Sequence, residues 1–205
     1  MIGELSRIGL WGRPNVSFSD ATRTAGAAPW RSIGEHGCYL SHLRVLSEAA
    51  EAEESVLLLE DDCDFTRAAT SQQPDVDVLW GGYTLREKHI EGAHCVGFSA
   101  RAAQRLVPYL TDWLDHPSPP PVDGAYILFL RDNPDLSVHA CSPMLAVQRP
   151  SDSDIAGAFA SGGNPALLPA IRVARAGKRF LKRRLNIQGQ GQAAFEALVE
   201  RLRDA

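Results

Sequence analysis

The chain has 205 residues, of which 44 % are hydrophobic, with a formal net charge of −4 and a sequence pI near 5.9. That length suffices for one full core, and the composition is that of a globular rather than a disordered chain. The acidic balance argues for no nucleic-acid partner, which would require a basic domain. Cys38, Cys63, Cys95 and Cys141 stand far apart without a CxxC pair, so neither a zinc knuckle nor a redox motif is suggested. No signal-peptide pattern and no apolar segment of the ~20 residues needed to span a bilayer are present, so a cytoplasmic chain with reduced thiols is expected.

In chain order, Ile2, Leu5 and Ile8 recur at helical spacing, followed by a turn over residues 12–14 and a short strand at 16–18. Residues 21–31 are small and polar and read as a loop. Over residues 34–54, Leu40, Leu43, Leu46 and Ala50 mark an amphipathic helix leading into an apolar run at 56–59. That run, bounded by charge, reads as a buried parallel strand ending in Glu60, Asp61 and Asp62. The carboxyl edge of such a sheet is where ligands bind. If the chain stays extended, Glu60 and Asp62 share one face roughly 6–7 Å apart and Asp61 points away. Two carboxylates on one side suit a divalent cation, with oxygen ligands favouring Mg²⁺ or Mn²⁺. The plainer alternative is that the triplet solvates a strand end and starts a turn.

A second short strand at 76–80 closes on Gly81 and Gly82, where paired glycines allow either close backbone approach to a ligand or an ordinary turn. Residues 94–98 read as another strand, and Ser99 caps a helix over 100–110. Prolines at 117–121 break the chain. Asp123 then serves as N-cap of a helix at 124–131, and residues 136–141 form a last strand. Alternating strands and helices indicate an α/β fold. Residues 156–170 form a linker, and 171–205 a helical tail. Arg172, Arg175, Lys178, Arg179, Lys182, Arg183 and Arg184 make that tail basic, suited either to peripheral contact with an anionic membrane through 171–185 or to a solvated helix face.

Four segments taken in order, SIGEHGCYLSHLRVL, VLLLEDDCDF, PVDGAYILF and AVQRPSDSDI, resemble the pattern of glycosyltransferase family 25. That family includes bacterial lipooligosaccharide and lipopolysaccharide glycosyltransferases and collagen galactosyltransferases. The resemblance covers roughly residues 1–155. It implies a GT-A-like sheet that binds a nucleotide-sugar donor, commonly a UDP-sugar such as UDP-galactose, and transfers the sugar with inversion to a glycan or lipid-linked acceptor. It further implies a metal at the acidic triplet, held by Glu60 and Asp62, with Glu60 and Asp61 also facing the donor. Asp123 matches the later acidic position, a base or donor contact. Ser41 and His42 match a Ser-His pair near the donor, and Gln148 and Asp154 match a C-terminal polar motif. The family usually opens with a strand ahead of the first helix seen here, so residues 1–155 read as an N-terminally shortened domain with an exposed strand edge.

The chemistry supports the same residues. Cleaving a glycosyl phosphate leaves charge on the diphosphate that Mg²⁺ or Mn²⁺ neutralises, and inversion needs a base, Asp123 or His42, on the opposite face. Asp123 can equally be a helix cap, and His42 a packed, hydrogen-bonded histidine of the core. His36, six residues before His42, faces elsewhere on the helix and makes no metal pair with it. Two other functions stay open: a catalytically degenerate binding module for a glycan or protein, and a metal phosphohydrolase, which would need a further His or Asp cluster.

Overall fold

The computed structural model describes residues 1–85 and 90–149. Asp154, the linker at 156–170 and the basic segment at 171–205 lie outside the described residues. What is described is a mixed α/β fold, a mixed sheet flanked by helices.

The elements are α1 (Ile2–Arg7), α2 (Ile33–Ala52), β1 (Val56–Leu59), β2 (Cys63–Phe65), β3 (Val78–Leu85), β4 (Ile90–Phe98), α3 (Ala100–Asp112), α4 (Val122–Asp132), β5 (Val138–Ala140) and β6 (Ala146–Gln148). A four-stranded sheet runs β1-β4-β3-β5, and β2 pairs with β6 in a separate ribbon. Among the described residues only β3 and β5 pair in parallel; β4 runs against both β1 and β3.

Period-two alternation sorts the strand residues onto two faces. Leu58, Val78, Trp80, Val96, Phe98 and Ala140 face the helical layer of α2, α3 and α4. Leu59, Leu79, Cys95 and Cys141 face the other way, toward the β2–β6 ribbon and α1, where Leu5 is buried. The four cysteines are free thiols. Among the described residues no helix is long and apolar enough to cross a membrane.

Several expectations are corrected. β1 is an antiparallel edge strand, not a buried parallel one, paired on the described side with β4 alone; Leu57 is 44 % exposed. An apolar run records burial tendency but not the direction of its partner. Residues 16–18 form no strand; Val16 packs against the second apolar cluster and Phe18 meets Trp11 edge to face at 5.7 Å. The glycine pair neither closes a strand nor makes a turn, since β3 continues through it. A Cβ on Gly81 would stand 2.7 Å from Cys95 Sγ, and one on Gly82 would overlap the His94 ring. The glycines thus serve close strand packing, with the register shifting around Gly82. Residues 136–141 narrow to β5, and β6 follows as the last strand described.

Two helices start on serine caps. Ser99 accepts from Ala102 N at 3.1 Å and caps α3, as its position implies. Ser32 caps α2 by accepting from Glu35 N at 3.1 Å. The buried stripe of α2 runs through Tyr39, His42 and Leu46 rather than through Leu40, so the helix carries His42 inward.

Candidate functional site

The acidic triplet is not extended. Cys63 N donates to Glu60 O at 3.1 Å, closing a turn with Asp61 and Asp62 at its corners, the residue type such turns favour. This corrects the expected arrangement of Glu60 and Asp62 along one strand face: the turn sends the three carboxylates to different neighbours. Glu60 N donates to His94 O at 3.0 Å, anchoring the turn on β4, and the Glu60 side chain faces α2. Asp61 is exposed. Asp62 meets β6, where Gln148 Nε2 donates to its Oδ2 at 3.1 Å, while Arg149 N donates to the Asp62 carbonyl at 2.7 Å.

The α2 side of the turn is a mixed donor cluster. His42 is 7 % exposed, and its Nε2 stands 3.6 Å from Glu60 Oε1. Its Nδ1 is 2.9 Å from the hydroxyl of Tyr126, a wholly buried residue of α4. One helical turn before His42 lies Cys38, and a sulfur, a nitrogen and an oxygen of Cys38, His42 and Glu60 all fall within 4.8 Å of one another. This group can hold a metal ion. Burial first, and then the charges of Glu60, Asp123 and Asp62, push the Cys38 thiol up to about 12. Burial likewise lifts the Tyr126 hydroxyl well above its ordinary value and keeps it neutral.

Asp123 is not the N-cap of α4. Pro121 occupies that position, and Asp123 sits in the first turn, because the helix starts ahead of the expected residue 124. Its Oδ2 accepts from Gly92 N of β4 at 2.7 Å and its Oδ1 from Gly124 N at 2.9 Å. Gly92 has φ +89, a conformation that glycine adopts readily, and this aims its N–H at the carboxylate. Ser41 donates to Gly37 O at 2.7 Å and accepts from Thr22 N at 2.8 Å, tying the loop before α2 onto that helix. His36 stacks on Trp30 with ring centroids 4.1 Å apart, away from His42.

No family model matches the chain, and no curated protein matches it significantly. The site therefore rests on its geometry. Of the residues expected there, His42 and Glu60 come together, Asp62 and Gln148 bond to each other on the far side of the turn, and Ser41 points to its own loop.

Four contributors were missed. Cys38 and Tyr126 flank His42, and the spacing of Cys38 four residues before His42 on one helix face was the available signal. Asp64, 1 % exposed, accepts from the Arg149 guanidinium at 2.8 and 3.2 Å. Its available signal was an acidic residue in the middle of the short strand β2, two residues after Asp62. Arg149 follows Gln148 directly and carries no pattern of its own.

One atom bears on a hard cation. Asp62 Oδ1 is buried with no hydrogen-bond partner among the described residues, and burial, aided by Glu60 and Asp61, lifts the carboxyl to about 6 against the opposing bond from Gln148. A buried carboxylate oxygen without a partner is costly, and a divalent ion beside it would remove that cost.

Proposed function

We propose that the chain is a metal-assisted glycosyltransferase of the family 25 kind, with a GT-A-like sheet, that moves a sugar from a UDP-sugar to a cell-envelope glycan. The observation that carries this reading is convergence: the four segments that resemble the family meet around one turn. His42 of the first stands beside Glu60 of the second, Tyr126 of the third holds His42, and Gln148 of the fourth holds Asp62. Contacts spanning 84 and 86 residues of sequence gather chemically capable groups in one place.

Asp62, with its partnerless Oδ1, is the residue that would hold Mn²⁺ or Mg²⁺. When bound, such an ion neutralises charge on a departing diphosphate. Gln148 orients the Asp62 carboxylate, and Glu60 N, fixed to β4, sets where the turn stands. Asp123 is the base candidate for the acceptor hydroxyl, held rigidly by two backbone N–H groups.

Turnover of a panel of UDP-sugars with Mn²⁺, read as UDP release, tests the reading. Turnover is expected for the parent chain and not for Asp123→Asn, which should still bind donor. Asp62→Asn should lose metal-dependent donor binding in calorimetry; equal binding by mutant and parent would remove the metal assignment. A second reading, a degenerate binding module, is favoured by the engagement of both Asp123 oxygens in backbone bonds, and detectable transfer from any nucleotide sugar excludes it.

A further inference from the structure

We propose that Cys38, His42 and Glu60 form a site for a borderline divalent ion of the zinc type, separate from the hard-ion position at Asp62. The three donors are one sulfur, one nitrogen and one oxygen, all within 4.8 Å of one another. Thiolate and imidazole together select zinc over Mg²⁺ or Mn²⁺, which prefer oxygen ligands throughout.

The spacing suits an ion better than a direct bond. His42 Nε2 and Glu60 Oε1 are 3.6 Å apart, beyond a normal hydrogen bond. Two ligands at about 2.0–2.1 Å from a tetrahedral zinc stand roughly 3.3–3.4 Å from each other, and a sulfur at about 2.3 Å stands slightly farther off. Closing the site from the present geometry therefore needs shifts of a few tenths of an ångström at the His–Glu pair. Cys38 and His42 reach the same side because four residues separate them on α2, and Glu60 is delivered opposite by the turn anchored on β4.

The surrounding layer is also arranged for it. A ligating histidine needs its other ring nitrogen held, so that the coordinating nitrogen presents its lone pair. Tyr126 supplies that partner to His42 Nδ1 at 2.9 Å, and Tyr126 is itself immobilised, with its ring edge to face with Phe98 at 5.0 Å. Binding proceeds with loss of the Cys38 thiol proton to solvent, the sulfur electron pair going to the ion. Three protein ligands leave a fourth position open for water or an anionic oxygen. The site stands on its own ligands and does not depend on the transferase reading.

The test uses the full metal-free chain titrated with Zn²⁺ against a chromophoric chelator, and separately with Co²⁺ followed by absorption. One equivalent of zinc is expected, with affinity falling at least about tenfold in Cys38→Ser and in His42→Gln and holding within about twofold in Asp62→Asn, tenfold being the loss that outer partners alone can cause. The parent loaded with Co²⁺ should show a sulfur-to-cobalt charge-transfer band, a reading that needs no variant to fold. Absence of that band overturns the proposal, as does unchanged zinc affinity in Cys38→Ser or an equal loss in Asp62→Asn. Neither arm reads sugar transfer, so failure here and failure of the transferase reading are distinguishable.

Discussion

Tyr126 shows how much of the site depends on single atoms. Its ring is fully buried between Trp80 and Phe98, and its hydroxyl is what holds His42 Nδ1. Tyr126→Phe keeps the packing and removes one oxygen, so zinc affinity should fall about tenfold, the usual effect of losing an outer partner, with the far-ultraviolet circular dichroism unchanged. An affinity equal to the parent's in the same chelator competition would show that the hydroxyl positions nothing. At this scale Glu60 and Asp62 stood out as charge closing an apolar run, whereas His42 and Gln148 were named only through the resemblance to family 25. Cys38 and Tyr126 were not legible, because each reads as an ordinary core residue until the fold puts it against His42.

At the scale of elements, Asp77 is the joint between β3, β5 and α3. Its carboxylate accepts from Ser99 Oγ, from Ser137 N and from Ser137 Oγ, each at 3.0 Å, and lies near Arg101. Burial works to raise its pKa, but these hydrogen bonds and the arginine outweigh it and hold the group below the usual carboxylate range. A depressed folded value means the stabilisation is present above the unfolded value of about 3.9 and is lost as pH falls through the folded one. Asp77→Ala should cost about 1–3 kcal/mol near neutral pH, since Ser137 N loses its acceptor, and the difference from the parent in urea melts should shrink below pH 4. A gap that stays constant down to acid would assign the loss to packing instead. Element types were largely readable here: α1, α2 and α3 with its Ser99 cap appear where periodicity and capping place them, whereas α4 appears but starts at Val122 with Pro121, not Asp123, at its N-cap. Strand partners were not readable. The run at 56–59 carries the same residues whether it is central and parallel or, as found, at an antiparallel edge, and Gly82 marks close packing on His94 only once β4 lies beside it.

Across the whole molecule, two apolar clusters lie on opposite faces of one sheet, and the second is closed by α1 through Leu5. Leu5 is 2 % exposed, so Leu5→Ala should destabilise the chain by about 2–5 kcal/mol in urea unfolding, although it lies far from the site in sequence. The zinc ligands lie on α2 and on the turn after β1, with α4 behind them through Tyr126, so an ion that holds them ties together segments distant in sequence rather than one loop. Free Zn²⁺ at about 100 times its dissociation constant should add about 2.7 kcal/mol, raising Tm by roughly 5–10 °C for a chain of this size. The sign of that shift is diagnostic. Cys63, Cys95 and Cys141 are buried in the native state and become available only on unfolding, so zinc captured by the unfolded chain would lower Tm, whereas zinc bound at Cys38, His42 and Glu60 raises it. Cys38→Ser leaves those three buried thiols in place and should convert the rise into no shift or a fall, which calorimetric melts at fixed protein concentration would read directly.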